Sequence, residues 1–155
     1  MDDNVFISPH FKLKELTKSK TAQDHGIDNT PEKYHLINLI WFVWKVLEPV
    51  RILVEKPVIV SSGYRSKELN KKIKHSSDSS QHNANDDCAA VDIWVKGMKH
   101  EELFNMIKGS LVEYDQLILE SGCVHISGKT NNKKPRRRAL IREIVSGKPV
   151  YKPVV

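Results

Sequence analysis

The stretch that most constrains this chain is LINLIWFVWKVLEPVRILV, residues 36–54. It is apolar enough to be either a membrane span or a helix inside a core. A span needs about 18–20 nearly charge-free residues. Here Lys45, Glu48 and Arg51 interrupt the run and Pro49 lies within it. The better reading is a buried amphipathic helix. Asn29-Thr30-Pro31-Glu32 supplies its start, with a capping side chain, a proline in the first turn and then an acid. The helix is expected over about 31–53, with positions 36, 37, 40, 43, 44 and 47 following the helical period and Pro49 as a kink site.

Strand and helix signals follow on both sides. Residues 7–20 read as a short docking segment with Phe11, Leu13 and Leu16 apolar. Residues 57–60 form a short strand. Ser66 caps a helix that places Leu69 and Ile73 on one face. Residues 74–88 are a polar loop, 89–95 a strand, and 99–111 a helix with Leu103, Phe104 and Ile107 inward. Residues 114–120 and 123–127 are strands joined at Ser121-Gly122, and 140–144 and 149–154 are edge strands or a terminal helix. No repeat or linker divides the chain. The expectation is one domain over 1–155, with its core at about 8–128 and a basic C-terminal extension at 129–155. The mixed order of elements points to an α+β fold, a small antiparallel sheet with helices packed on one side.

The 155 residues suffice for such a core, and the net charge of +6 favours polyanionic partners: nucleic acid, an anionic membrane or an anionic cell wall. Two cysteines, Cys88 and Cys123, cannot build a disulfide framework. The acidic opening, MDDNVF, lacks the apolar core of a secretory signal. Synthesis in the cytoplasm without an encoded export route, and without a membrane span, is the expectation.

The hairpin at Ser121-Gly122 gives the first geometric clue. A two-residue loop pairs Glu120 with Cys123, Leu119 with Val124, and Ile118 with His125. Glu120, Cys123 and His125 then share one face, with Glu120 and His125 roughly 7 Å apart as diagonal neighbours. AAVDIWV, residues 89–95, carries a carboxylate, Asp92, inside an otherwise apolar strand. His82 sits in the loop before it. His82, Asp92 and His125 are three ligands of the type that leaves a catalytic zinc one open position, and Glu120 is a spare carboxylate beside them. Each residue also has an ordinary reading: His125 as a packed strand histidine, Asp92 as a cap or a partner of Arg65, His82 as a loop histidine.

Five ordered blocks add a resemblance: SSGYRSKELN (61–70), SQH (80–82), AAVDI (89–93), YDQLILE (114–120) and VHIS (124–127). Together they resemble the zinc D-alanyl-D-alanine metallopeptidase family. Its members include peptidoglycan carboxypeptidases and phage L-alanyl-D-glutamate endopeptidases, and the small phage-type members are the most similar. The resemblance covers most of 8–128 and implies a hedgehog/DD-peptidase-like zinc fold. It implies that His82, Asp92 and His125 bind Zn2+. Arg65 would hold a substrate carboxylate or polarise the scissile carbonyl, and Glu120 would be the base. Ser80 and Ser127 would buttress the histidines, as ordinary polar residues at strand ends also could, and Tyr64 would support the site or touch substrate. Two departures stand out. The family writes His-x-x-Gly-x-Ala-x-Asp, whereas this chain has three extra residues between His82 and Asp92, with Cys88 at the glycine position. That loop could bulge outward, or displace His82 and leave Asp86 and Asp87 as rival ligands. The family base also usually precedes the last histidine by three residues, not five.

The resulting expectation is a monomeric zinc peptidase. It would hydrolyse stem-peptide bonds involving D-amino acids in bacterial peptidoglycan, as a cell-wall lytic enzyme of phage or bacterium. Carboxypeptidase and endopeptidase action both stay open. The alternatives are a catalytically impaired wall-binding module on the same fold, motivated by the enlarged loop, and a nucleic-acid binder, motivated only by charge. The run KKPRRR, 133–138, reads as a solvated loop that could also hold anionic wall polymers.

Overall fold

A computed structural model describes residues 4–74 and 76–155; the first three residues and His75 of the expected polar loop lie outside the described residues. Two short helices, α1 (Leu13–Thr17) and α2 (Lys20–Asp24), precede a long helical stretch made of α3 (Lys33–Phe42), a π-helical turn (Val43–Leu47) and α4 (Glu48–Val54). Strand β1 (Val58–Ser62), helix α5 (Lys67–Lys72) and a 3-10 turn (Gln81–Asn83) lead into β2 (Cys88–Val95). Helix α6 (His100–Lys108), β3 (Gln116–Leu119), β4 (Val124–Lys129), β5 (Arg138–Val145) and β6 (Lys148–Pro153) complete the order.

The six strands form one sheet in the order β1-β2-β4-β3-β5-β6. Neighbours are antiparallel except β3 and β5, which run parallel. The α+β expectation holds, with that one parallel pair added. The hairpin register is as derived from the sequence: Leu119 faces Val124 and Ile118 faces His125. Residues 138–153 are not an appendage, because β5 and β6 belong to the same sheet. Prolines 149 and 153 are tolerated because β6 is an edge strand. Ser146 and Gly147 both take positive φ, 50° and 77°, as a tight hairpin turn requires.

The long helix packs on one sheet face, but not on the expected stripe. Leu39, Phe42, Val43, Val46, Leu47, Val50 and Val54 are buried, while Ile37 and Trp44 are exposed. The segment is apolar nearly all round, so its period alone could not fix the inward face. The polar residue Asn38 goes inside because its amide is used there. It donates to the Ala84 carbonyl and accepts from the Thr130 hydroxyl, both at 2.8 Å. The start also differs. The helix begins at Lys33 with Glu32 as N-cap and no side-chain cap, and Asn29 serves elsewhere. Near Pro49 the stretch widens into the π turn, where the Glu48 N–H donates to the Val43 carbonyl. Proline cannot donate to the ladder, and a π turn is one way to absorb that loss. Glu48, a charge that argued against a membrane span, is buried. It accepts from the His10 N–H (2.9 Å) and faces His10 Nδ1 (2.8 Å), which anchors the N-terminal segment. Phe11, Leu13 and Leu16 of that segment are buried as expected.

The core lies between the helices and Ala89, Val91, Ile93, Val95, Leu117, Val124 and Ile126 of the sheet, with Leu103, Phe104 and Ile107 of α6 against it. The long helix approaches the sheet closely at Gly128. A Cβ there would lie 2.6 Å from Val46 Cγ2 and 2.9 Å from Phe42 Cδ2. Gly128→Ala is expected to lower stability by about 1–3 kcal/mol through overpacking. Urea unfolding should show a lower midpoint at unchanged slope.

Candidate metal centre and active-site cleft

Alternation along β2 explains the carboxylate in the apolar strand. Ala89, Val91, Ile93 and Val95 enter the core, and Asp92 therefore projects to the opposite face. Asp92 is the cross-strand partner of His125 on β4 and of Ser62 on β1. His82 arrives from the 3-10 turn. Its Nε2 lies 3.2 Å from His125 Nδ1 and 3.4 Å from Asp92 Oδ1, and His125 Nδ1 lies 3.0 Å from Asp92 Oδ1. Among the described residues these three make the one group of His, Cys, Asp or Glu side chains gathered as a metal would need.

The spacing fits a small tetrahedral ion. Bonds of about 2.0–2.1 Å give tetrahedral edges of about 3.3 Å, and the three observed separations bracket that length. The chemistry of the donors fits as well. His82 Nδ1 faces the Gly63 carbonyl at 2.8 Å, which places its proton there and leaves the Nε2 lone pair toward the cluster. Burial pushes the His82 imidazole toward its neutral form, against the pull of Asp92. Burial also raises the Asp92 carboxyl, but His82 and the hydrogen bonds with His125 and His82 outweigh it and hold the acid well below the usual carboxylate range. The set is thus two imidazoles and an ionised carboxylate, all three lining the cleft.

The loop 61–66 holds His82 from two sides. The Gly63 carbonyl takes the ring, and the Arg65 N–H donates to the His82 carbonyl (2.9 Å). Ser80 Oγ accepts from the His82 N–H at 3.3 Å. The loop is itself braced. The Tyr64 N–H donates to the Leu16 carbonyl at 2.6 Å, and a Cβ on Gly63 would sit 2.1 Å from the Leu16 oxygen. Asn29 clasps the same loop, donating to the Thr17 and Tyr64 carbonyls and accepting from the Ser66 N–H. Arg65 Nη2 donates to Ser62 Oγ (3.0 Å) and Asp92 Oδ2 (3.4 Å).

Glu120 stands on the same face beyond the hairpin, with Arg142 Nη1 3.3 Å from its Oε2. Burial raises its carboxyl, Asp92 adds to that, and Arg142 opposes it. A carboxylate raised in this way is suited to taking up a proton. His82, Asp92, His125, Glu120, Arg65 and Ser80 all line one cleft of about 750 Å³.

Tyr64 and Ser127 do not join the cleft. Tyr64 is buried in the core, its hydroxyl 2.9 Å from His35 Nδ1, and burial pushes its phenol up to about 12. Ser127 is fully buried and accepts from the Gln116 N–H at 2.9 Å, fastening β3 to β4. The extra residues between His82 and Asp92 bulge outward. Ala84, Asp86 and Asp87 turn the chain with φ of 56°, 54° and 52°, and β2 begins at Cys88. The Asp87 carboxylate is engaged by the Tyr34 hydroxyl and the Asn131 amide, and neither it nor Asp86 belongs to the three-residue cluster. Cys88 faces Lys129 at one end of the β2–β4 pair, while Cys123 precedes Val124 at the other. About six residues of strand, roughly 20 Å, separate the thiols, too far for a disulfide. Burial, Asp92 and Glu120 push the Cys123 thiol up to about 12.

The run KKPRRR is not a free solvated loop. Arg136 donates from its backbone and guanidinium to the fully buried Asp115, which Gln81 also reaches at 2.9 Å. Arg137 donates to the Val112 and Ser110 carbonyls and lies 4.7 Å over the Tyr114 ring. Arg138, Leu140 and Arg142 of β5 line the cleft. Their pairing with β3 depends on a long-range parallel register that no local pattern reveals. Burial raises the Asp115 carboxyl, but the hydrogen bonds from Arg136 and Gln81 prevail and lower it. Its stabilising contribution is therefore full above its unfolded value of about 3.9 and is lost as pH falls through the lower folded value. Asp115→Asn is expected to flatten the acid side of the stability–pH curve, read by urea unfolding from pH 7 to pH 3.

A family model described as Peptidase M15 matches residues 9–127. No curated protein and no solved structure matches the chain.

Proposed function

The chain belongs to the Peptidase M15 family of zinc-dependent peptidases, and we propose that it hydrolyses peptidoglycan stem peptides at a bond involving a D-amino acid. The observation that carries this reading is the mutual approach of His82 Nε2, Asp92 Oδ1 and His125 Nδ1 to 3.0–3.4 Å. In it, these three side chains hold Zn2+. A zinc ion held by these residues would supply Lewis acidity to the reaction.

The chain's own residues do the rest. Glu120 takes the proton of the attacking water and returns it to the leaving amine. Arg65 uses Nη2 to orient Asp92, while the other N–H groups of its guanidinium carry no hydrogen bond among the described residues. Those donors face the substrate, for the developing oxyanion or a peptide carboxylate. Ser80 fixes His82 through the backbone. The bacterial cell wall is the proposed site of action, supported by the family match and the net charge of +6. No helix among the described residues is long and apolar enough to cross a membrane.

Elemental analysis with a peptidoglycan digestion assay tests this. The wild type should carry one zinc per chain and release peptide fragments. His125→Ala should lose both. Glu120→Gln should keep its zinc and lose about 10²–10⁴ in kcat. Zinc without cleavage would make the chain a wall-binding module, and a wild type that takes up no zinc would overturn the mechanism.

A further inference from the structure

We propose that Arg138 determines specificity: on the β5 wall of the cleft it forms, beside Leu140, a subsite for a substrate carboxylate close to the bond that is cut. The inference rests on the peptidase reading and adds a recognition element from residues outside the 9–127 match.

Four guanidinium groups line the cleft, those of Arg65, Arg136, Arg138 and Arg142. Three are already paired with carboxylates: Arg65 with Asp92, Arg136 with Asp115 and Arg142 with Glu120. Arg138 is exposed, and its guanidinium makes no hydrogen bond or ion pair among the described residues. Its position is fixed from below, since its backbone N–H donates to the Asp115 carbonyl at 3.0 Å. A rigid backbone carrying an uncommitted planar cation in a cleft is an anion subsite in waiting, and guanidinium matches a carboxylate two bonds at a time.

Register sets the distance to the reacting centre. Ile118 faces His125 across one strand boundary and Leu140 across the next. Leu140 is therefore level with His125 and two strand spacings away, about 10 Å. Arg138 lies two residues along β5 from Leu140, on the same face. An extended peptide advances about 3.3–3.6 Å per residue. A carboxylate within about two residues of the scissile bond thus comes within reach of the long Arg138 side chain, while apolar substrate atoms cross Ile118 and Leu140. Arg142, on the far side of Leu140, is held by Glu120 and is not free for this task.

Two synthetic pentapeptides test it: L-Ala-γ-D-Glu-L-Lys-D-Ala-D-Ala with the glutamate α-carboxylate free, and the same peptide with that group as the carboxamide. Both contain both candidate bonds. Binding is measured by calorimetry on zinc-loaded full-length Glu120→Gln/Arg142→Gln protein, with and without Arg138→Gln, since Glu120→Gln alone would release Arg142 as a rival cation. Arg138 is exposed, so its replacement leaves the core intact. The acid should bind about tenfold more tightly than the amide, and Arg138→Gln should abolish that difference without weakening the amide. In protein with Glu120 and Arg142 restored, Arg138→Gln should raise KM for the acid with kcat unchanged. Equal binding of acid and amide overturns the proposal, as does an Arg138→Gln effect of equal size on both peptides. Loss of binding to intact walls with no peptide discrimination also overturns it, assigning the cation to a wall polymer. Failure of the wild type to cleave either peptide would count against the peptidase reading, while the binding comparison still decides the subsite.

Discussion

Asp92 cannot be buried alone. Its side chain is only 15% exposed, on a sheet face whose other side is packed with aliphatic residues. An ionised carboxylate in such a place needs compensating partners. His125 comes from the neighbouring strand, His82 from a 3-10 turn and Arg65 from the loop after β1. Three separate pieces of chain thus converge on one charge. The two imidazoles and the carboxylate that satisfy each other electrostatically are also the groups suited to holding a cation. The same geometry that solves the burial problem therefore creates the candidate metal centre.

His82 is the member of the cluster that the sheet does not place. Strand pairing fixes Asp92 against His125 through backbone hydrogen bonds along β2 and β4. His82 instead depends on the loop 61–66, which takes its ring nitrogen on one carbonyl and its backbone carbonyl on one N–H. That loop leans on the Leu16 carbonyl and is clasped by Asn29. The N-terminal segment, far from the candidate site in sequence, is in this way the floor beneath one candidate ligand. Gly63 is needed for the same reason: any side chain there would meet the Leu16 backbone.

Much of this was legible in the sequence, and the limits have physical causes. Asp92 stands out in the sequence as a carboxylate inside an otherwise apolar strand, and the two-residue turn fixes the Glu120–His125 relation, because hairpin register is a local property. The enlarged loop before Asp92 could be read either way, since its outward bulge depends on three residues adopting positive φ and on Asp87 finding Tyr34 and Asn131. Tyr64 and Ser127 were named for their neighbours in sequence, but their hydroxyls serve His35 and Gln116. Asn29 looked like a helix cap because capping and loop-clasping use the same short amide. The inward face of the long helix was hidden because nearly every face of it is apolar, and only a buried partner for Asn38 distinguishes one from another.

The C-terminal segment adds a second wall to the candidate cleft. The candidate metal centre and Glu120 lie on β2, β4, the end of β3 and the turn before β2, all within 9–127 but for the last two residues of β4. The opposing wall is β5, attached to β3 by a parallel pairing and backed by β6. A parallel neighbour cannot follow by a tight hairpin: β4 first runs back antiparallel to β3, and the crossover at 130–137 then carries the chain past β3 to β5. Arg136 and Arg137 do not wave in solvent. They fasten the crossover to Asp115 and to the carbonyls after α6. Asp115 also holds Gln81, the neighbour of His82. The ion pair that positions the β5 wall therefore touches the turn that positions a candidate metal ligand, so the two halves of the cleft are mechanically joined through one buried carboxylate. The Arg138 backbone shares that anchor, but its exposed side chain stands outside the network, so the carboxylate preference proposed for it would change without disturbing the candidate metal centre.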